Sequence, residues 1–387
     1  MFRRASALAN AAILIGVVSL NSFGAEIATV HVGNPDNAPD TTTFQYGTVG
    51  YEYRIGATEV TNSQYIGFLN SKASVGDALG FYNTNMASNA YGGILRSGSG
   101  TSLDPYTYAA KDGKLNHPVN FVSWYDAIRY ANWMHNGQGN GDTETGSYNL
   151  GQLNANGTPL LIFSASQRTS DAKWFLPSIN EWYKAAFHKN DGVTGNYWDY
   201  PVRSDNPPIA EAPAGGIHSA NFDDAVDGPV EVASYSRARS AYGTFDQGGN
   251  LFEWVESTRV ATTPATALVV GGHWAASDTF LSSSYTGTDS GKTNEFDGRG
   301  FRLATNVPEP GNWLLCLCSV VASVRMRRLF RPAQKSLDAR KNYANSGTNP
   351  ACSKCRSAVS ASVMPWSCIT TKEMQSVSDQ FLSGRLS

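Results

Sequence analysis

Three stretches of the sequence repeat apolar residues every three to four positions, which is the spacing of one face of an α-helix. Each stretch also holds a residue type that commonly caps a helix start, and in the third stretch Ser178 and Glu181 have the spacing of a capping box. The pattern predicts three helices: 59–70 with Thr61 as the cap, 118–134 with Ser123 as the cap, and 174–187.

Short alternating segments and glycine-rich stretches make up most of the remaining sequence. Alternation is typical of half-buried strands, and clusters of Gly, Asn and Pro are typical of loops. With 37 glycines, nine tryptophans and only 16% charged residues, the composition indicates a loop-rich α+β protein rather than a helical bundle or a disordered chain. We expect two strands within 26–57, loops at 76–116, 136–146 and 190–218, and short β-segments at 230–235, 251–256, 267–274 and 300–304.

The two ends of the chain differ from its body. Two arginines followed by an apolar run at 7–20 have the order of a secretory signal, so we expect a mature chain that begins near Ala25, with an uncleaved anchor as the alternative. A second apolar run, at 313–324, is followed by basic residues and is shorter than the ~20 residues of a full membrane span. The predicted organisation is a signal peptide at 1–25, a folded domain at 26–306, a sorting and anchor segment at 307–330, and a disordered tail at 331–387.

Charge is distributed unevenly between the body and the tail. Residues 325–387 hold eleven Lys or Arg and three Asp or Glu, a net charge of +8. Because the whole chain carries −2, the preceding residues carry −10. An acidic body argues against nucleic acid as a partner.

Cysteine is confined to the C-terminal part of the sequence. The first of the five cysteines is Cys316, so the predicted domain can hold no disulfide, no thiolate metal site and no cysteine nucleophile. Cys352, Cys355 and Cys368 lie in the tail without a neighbouring histidine, which is an incomplete set of zinc ligands.

Residues 242–254 combine glycines, aromatic residues and two oxygen-bearing side chains in one short stretch. Gly248 and Gly249 permit a tight turn, and Asn250 and Glu253 follow it three residues apart. Oxygen ligands on a tight loop suit a hard cation such as calcium. The alternative is a turn in which the two side chains hydrogen-bond only the local backbone.

Six blocks of the sequence resemble the formylglycine-generating enzyme, or sulfatase-modifying factor, domain. They are 56–65, 118–126, 176–182, 242–254, 271–274 and 300–302, and they occur in the order of that family. The resemblance implies a compact, loop-rich α+β fold related to C-type lectins, with calcium stabilising its loops. It implies a calcium site at Asn250, the Leu251 carbonyl and Glu253, and a weaker second site at Asn221 and Asp227.

The chain further resembles a bacterial subgroup of exported proteins that end in a PEP-CTERM-type sorting signal. Here the sequence Val-Pro-Glu-Pro at 307–310 precedes the second apolar run and the basic residues. The resemblance implies handling by the export machinery, processing by an exosortase-like membrane peptidase, transient membrane anchoring through 313–324, and display at the cell surface.

The sequence departs from the family where the enzyme carries its chemistry. The enzyme oxidises a cysteine of a sulfatase with oxygen and binds copper through two of its own cysteines, shortly after a glycine pair. Counted from Gly271 and Gly272, those two positions are Ala276 and Leu281. Because copper(I) prefers soft thiolate ligands, the sequence predicts neither a copper site nor formylglycine generation.

Three functions therefore stay open. The first is a binding or structural module at the cell surface, with an extracellular polysaccharide or protein as partner. The second is an oxidoreductase that uses non-heme iron, or a cofactor-free pocket near His273, Trp274 and Arg302. The third is carbohydrate recognition through Trp or Tyr residues in the loops 76–116 and 275–300. The structural alternatives are that Arg302 anchors a carboxylate in the core and that His273 is a hydrogen-bonded loop residue.

Overall fold

The computed structural model describes residues 25–151, 167–257 and 266–307. The predicted signal peptide, the apolar run at 313–324 and the tail at 331–387 lie outside the described residues. Within them, no helix combines the length and the apolar character needed to cross a bilayer.

The three predicted helices are confirmed, and each begins directly after its predicted cap. In every case the cap side chain accepts a hydrogen bond from the third helical residue, whose own side chain bonds back to the cap backbone. All three start later than their predicted ranges, because each cap satisfies the free backbone N–H groups only of the turn that follows it. The helices are α1 (Asn62–Lys72), α2 (Asn85–Ser88), α3 (Trp124–His135) and α4 (Ile179–Phe187).

The described residues contain twelve short strands. Eight of them form two four-stranded sheets, and the other four form two two-stranded sheets. The first sheet has the order β1-β2-β12-β5, with every pair antiparallel. The second has the order β10-β9-β8-β11, in which only β8 and β11 are parallel. The strands are β1 (Thr29–Val32), β2 (Tyr53–Gly56), β3 (Ile94–Ser97), β4 (Thr107–Ala110), β5 (Trp174–Phe175), β6 (Ile209–Ala210), β7 (Ser219–Ala220), β8 (Phe252–Trp254), β9 (Thr266–Val270), β10 (Thr288–Gly291), β11 (Arg299–Phe301) and β12 (Ala304–Asn306).

Four local predictions were wrong. The predicted loop 190–218 contains the strand β6, which pairs with β7. The stretch 76–116 is not a simple loop, because it contains α2 and the β3–β4 hairpin. Arg96 stabilises this hairpin by lying over the rings of Tyr82 and Tyr106, at 4.6 and 4.4 Å from their centroids. Trp174 and Phe175 form an edge strand paired with β12 instead of a first helical turn, and 230–235 holds no strand. The predicted α+β, loop-rich fold class is confirmed.

Buried tryptophans tie the helices to the second sheet. The indole N–H of Trp124, at the start of α3, donates to the Val255 carbonyl at 2.9 Å. In return the indole N–H of Trp254, on β8, donates to the Val122 carbonyl at 3.0 Å. These reciprocal bonds fix β8 against the start of α3, and β8 carries Glu253 at its centre.

Candidate functional site

A fully buried ion pair joins β8 to the end of β11. Arg302 directs Nε to Oε2 of Glu253 and Nη2 to Oε1, both at 2.6 Å, and the side chains of both residues are 0% exposed. The indole N–H of Trp182 donates to the same Oε2 at 2.8 Å. Arg302 also donates to the carbonyls of Gly56 and Phe245, at 2.9 and 2.8 Å. The prediction that Arg302 anchors a carboxylate in the core is confirmed.

Two further acids interact with this ion pair. Burial raises the pKa of Glu59 well above its ordinary value, and the nearby charges of Asp246 and Glu253 raise it further. Burial also raises the pKa of Asp246, to about 6. Arg302 lowers both values, but three carboxyl groups share this one guanidinium. Protons therefore neutralise part of this cluster near neutral pH.

Asn250 connects the acid cluster to the loop that follows β7. Its Nδ2 donates to Oε1 of Glu59 at 3.0 Å, and its Oδ1 accepts from the Val230 backbone N–H at 2.9 Å and from the Asn221 carboxamide at 3.3 Å. The backbone of Asn250 lies in the left-handed region, with φ of 59°, a conformation that asparagine tolerates better than most residues. Two buried oxygens beside this contact, Oε2 of Glu59 and Oδ1 of Asn221, have no hydrogen-bond partner in the part of the chain that the structure describes.

The residues of the predicted calcium sites have separate partners. Both oxygens of Glu253 are held by Arg302 and Trp182, so a permanent positive charge already compensates the carboxylate. Asn221 is buried and donates to the Gly228 carbonyl at 3.0 Å, whereas Asp227 is exposed and accepts from the Tyr91 hydroxyl at 2.7 Å. As arranged, Glu253 does not fit a calcium ion, and Asn221 and Asp227 are not brought to one point by a shared contact.

No group of three or more His, Cys, Asp or Glu side chains within 25–151, 167–257 and 266–307 is arranged to hold a metal ion. Calcium therefore stays a prediction. The unpartnered oxygens of Glu59 and Asn221 belong to residues that hydrogen-bond Asn250, and oxygen atoms suit a hard cation.

Apolar side chains occupy the two positions to which the sequence resemblance assigns copper ligands. Ala276 is 6% exposed, and Leu281 is fully buried in an apolar cluster that includes Tyr200 and Phe222. Between them lies a short 3-10 helix, Asp278–Phe280. Gly272 approaches Leu281 so closely that an added Cβ would lie 2.6 Å from the leucine Cδ1. The segment is thus packed around the leucine side chain.

His273 and Trp274 belong to a continuous series of ring contacts, which we call the aromatic chain. The ring centroids of Tyr91 and Trp274 are 4.6 Å apart, and His273 contacts both Trp274 and Phe252, at 5.8 and 5.1 Å. The series continues from Phe252 to two exposed or half-exposed rings. Its members are Tyr91, Phe252, His273, Trp274, Phe280 and Tyr285.

The polar atoms of His273 and Trp274, in the aromatic chain, differ in their hydrogen bonding. Nδ1 of His273 accepts from the Ala275 backbone N–H at 3.2 Å, and burial lowers the pKa of the imidazole, so the ring is neutral at pH 7. The indole N–H of Trp274 is buried and has no hydrogen-bond partner among the described residues. Asp224 and Asp297 lie close enough to His273 to influence its pKa. The aromatic chain is therefore a set of ring contacts with two neighbouring acids, Asp224 and Asp297, and with an indole N–H at Trp274 that could still donate a hydrogen bond.

The structure keeps two of the predicted pocket residues, His273 and Trp274, together and places the third, Arg302, in a different cluster. Arg302 lies in the buried ion pair, whereas His273 and Trp274 lie on the aromatic chain. Sequence reasoning missed Glu59 and Asp246 as members of the acid cluster, because neither has a charged partner nearby in the sequence. The expectation of surface Trp or Tyr in the loops 76–116 and 275–300 anticipated Tyr91 and Tyr285 only as a class, and it did not anticipate Phe280.

Comparisons with known proteins identify similar solved structures and one matching family. Three similar solved structures each cover 73% of this chain: CarF (20% identity, 99% of that chain, TM-score 0.42), variable protein 1 of Treponema denticola (16%, 95%, 0.43) and PvdO from Pseudomonas aeruginosa (16%, 92%, 0.39). A search of curated proteins found no match. The family described as "Sulfatase-modifying factor enzyme 1-like domain" matches residues 27–307. The chain therefore belongs to the sulfatase-modifying factor, or formylglycine-generating enzyme-like, domain family.

Proposed function

We propose that this protein is an exported binding or structural module that does not perform copper-dependent cysteine oxidation. One observation carries the proposal: Ala276 and Leu281 stand, buried and apolar, where the family resemblance places the two thiols. The first cysteine of the chain is Cys316, beyond the matched domain. Without a thiolate in the domain, the soft ligands that copper(I) requires are missing.

The aromatic chain is the surface that we assign to binding. Phe280 is 36% exposed, and Tyr91, Phe252, His273 and Tyr285 are partly exposed beside it. Exposed rings offer apolar area at a small entropic cost and stack on sugar rings or peptide groups. The proposed partner is an extracellular polysaccharide or protein.

We further propose that the chain is exported and sorted to the cell surface. The support is the order of sequence features: an apolar signal at 7–20, the Val-Pro-Glu-Pro sequence at 307–310, and an apolar run followed by arginines. An exosortase-like peptidase would act on the sorting segment after transient anchoring. Mass spectrometry of both ends of the native protein tests this order, and an intact terminal peptide at either end would contradict it.

A structural calcium ion is part of the proposal. We expect one calcium per chain, and we expect a chelator to lower the melting temperature of the purified protein. Because Glu253 is already compensated by Arg302, the Glu253→Gln variant should keep the calcium dependence, whereas Glu59→Gln should lose it. Stoichiometric iron or copper instead of calcium would support the oxidoreductase alternative.

The decisive test of the main proposal is an oxidation assay. Mature protein is incubated with a Cys-x-Pro-x-Arg peptide, copper and oxygen, beside an active enzyme of the same family. We expect no aldehyde product from this protein. Peptide conversion by the wild-type protein would refute the proposal.

The Phe280→Ala variant should weaken binding to native surface polysaccharide without changing the melting temperature.

A further inference from the structure

A second candidate site lies at the end of the first sheet, away from the aromatic chain. It is an open cleft of about 280 Å³, and its lining shares no residue with the aromatic chain. The lining is formed by Tyr51, Arg168, Thr169, Ser170, Ala172, Phe175 and Asn306. Pockets for drug-sized ligands have volumes of ~300–1,000 Å³, so this cleft suits one small chemical unit.

The residues of the cleft are held rigidly. The Arg168 guanidinium lies 3.9 Å from the centroid of the Phe175 ring. It donates to both carboxylate oxygens of Glu181, at 3.0 and 2.8 Å, and to the Tyr51 hydroxyl at 2.8 Å. The Tyr51 hydroxyl in turn donates to Glu181 at 2.7 Å. Tyr51 therefore presents a ring that is fixed at its tip although the residue is 44% exposed. A wall fixed in this way loses little entropy when a ligand binds.

The charge of the cleft argues against an anionic ligand. Arg168 is paired with the fully buried Glu181, and a second carboxylate, Glu256, lies 3.8 Å from Nη1 of the same guanidinium. Glu181 alone balances the charge of the arginine, so Arg168 offers an anion no net attraction. A cation would have to approach through Arg168, since Glu181 is not exposed and the Glu256 side chain is only 13% exposed.

The remaining lining groups favour a hydroxylated ligand. Thr169, Ser170 and Asn306 supply two hydroxyls and a carboxamide, which both donate and accept hydrogen bonds. Tyr51 adds an exposed aromatic ring on which the C–H face of a sugar can pack. The Thr169 hydroxyl already donates to the Gly146 carbonyl at 3.2 Å, and the Asn306 carboxamide donates to the Ala172 carbonyl at 2.8 Å. The threonine oxygen, the carboxamide oxygen and the exposed Ser170 hydroxyl can still bond a ligand. An apolar ligand would not use these groups.

We propose that this cleft binds one ring of a neutral carbohydrate, with Tyr51 as the stacking wall and Thr169, Ser170 and Asn306 as hydrogen-bonding partners. The site is independent of the aromatic chain and of the missing thiols. It therefore stands whether or not the aromatic chain binds a partner, and it gives the carbohydrate alternative a specific location.

The test measures binding of single sugars to the mature chain by saturation-transfer NMR and calorimetry. The probes are methyl glycosides of neutral hexoses and N-acetylhexosamines, together with a uronic acid and an amino sugar. We expect at least one neutral sugar to bind with a Kd on the order of 1 mM. Preference for the uronic acid or the amino sugar, or no binding of any neutral sugar, would overturn the proposal.

Variants locate the binding site. Tyr51→Ala should weaken binding about fivefold or more, which is the scale of one aromatic contact, and Tyr51→Phe should retain it. Ser170→Trp fills the cleft from an exposed position and should abolish binding even if Tyr51→Ala folds poorly. Phe44→Ala removes another exposed ring, one that does not line the cleft, and serves as the control. Unchanged binding in both Tyr51→Ala and Ser170→Trp would refute this location.

Discussion

Replacing Arg302 by methionine should destabilise the domain more than any change at its partner. The substitution keeps a long unbranched side chain but removes the cation. It leaves Glu253 fully buried with only the Trp182 indole as a remaining donor, and it deprives the carbonyls of Gly56 and Phe245 of theirs. Breaking a buried pair in this way costs about 3–5 kcal/mol. A domain of ordinary stability has about 5–15 kcal/mol in total, so the variant should lie near the limit of folding.

The partner variant, Glu253→Gln, should cost only about 2 kcal/mol. Glutamine keeps the shape and one acceptor for the Trp182 and Arg302 donors. The charge left on Arg302 is then compensated by Glu59 and Asp246, whose carboxyl groups already interact with it. Three carboxyl groups interact with one guanidinium. Removing the guanidinium should therefore cost more stability than removing the charge of Glu253.

Urea unfolding followed by tryptophan fluorescence measures these differences, with the double variant closing a thermodynamic cycle. The double variant should be more stable than the sum of the single changes predicts, by about 2 kcal/mol. Lowering the pH from 7.5 to 5 should narrow the gap between Arg302→Met and wild type, because the uncompensated carboxyl groups can then take up protons. If Glu253→Gln proves as damaging as Arg302→Met, the idea of a shared guanidinium is wrong.

Three further predictions follow from other buried groups. Burial raises the pKa of Glu256 to about 7, so the folded protein keeps a proton that the unfolded chain releases near its ordinary value of 4.5, and stability should fall as the pH rises through this window. Glu256→Gln should remove this pH dependence and raise the free energy of unfolding at pH 8 by up to about 3 kcal/mol relative to wild type. Urea unfolding at pH 5 and pH 8 measures the difference, and an unchanged pH dependence of stability in the variant would contradict the prediction. Ser123→Ala removes the cap of α3 and should cost about 1 kcal/mol, whereas Ser277→Ala, at a 3-10 start without a side-chain cap, should cost less than about 0.5 kcal/mol in the same assay. Trp254→Phe deletes a satisfied indole donor and should lower the melting temperature clearly, whereas Trp274→Phe deletes an unpartnered one and should be close to neutral; equal losses would show that Trp274 has a partner such as water.

Helix starts could be predicted from the sequence because their chemistry is local. Thr61, Ser123 and Ser178 each act on a backbone N–H only three residues away, so the signal and its consequence lie in the same stretch. The edge strand β5 could not be predicted, because its two residues are held by β12, about 130 positions later. The β3–β4 hairpin escaped prediction for a related reason: its support includes Tyr82, which lies outside the hairpin.

The candidate site could be predicted only in part, for the same physical reason. A buried arginine requires an acid, so the sequence indicated the kind of partner for Arg302 but not that it would be Glu253. The acid cluster depends on Glu59, which lies just before α1 and 191 residues from its hydrogen-bonding partner Asn250. Nothing near Glu59 in the sequence distinguishes it from a residue at an ordinary helix start.

The buried ion pair also relates two hypotheses from the sequence: that Glu253 binds calcium, and that Arg302 anchors a carboxylate in the core. A calcium ion and Arg302 would compete for the carboxylate of Glu253. Because Arg302 is part of the chain and directly follows β11, it loses no translational freedom when it pairs with Glu253, whereas a calcium ion from solution does. With Glu253 compensated internally, the charge that remains unbalanced belongs to Glu59 and Asp246. Protonation of these two groups and cation binding are then alternative ways to neutralise the same cluster. Calcium affinity should therefore depend on pH, rising as these carboxyl groups lose their protons, and any metal requirement should be strongest above the pKa of about 6 of Asp246.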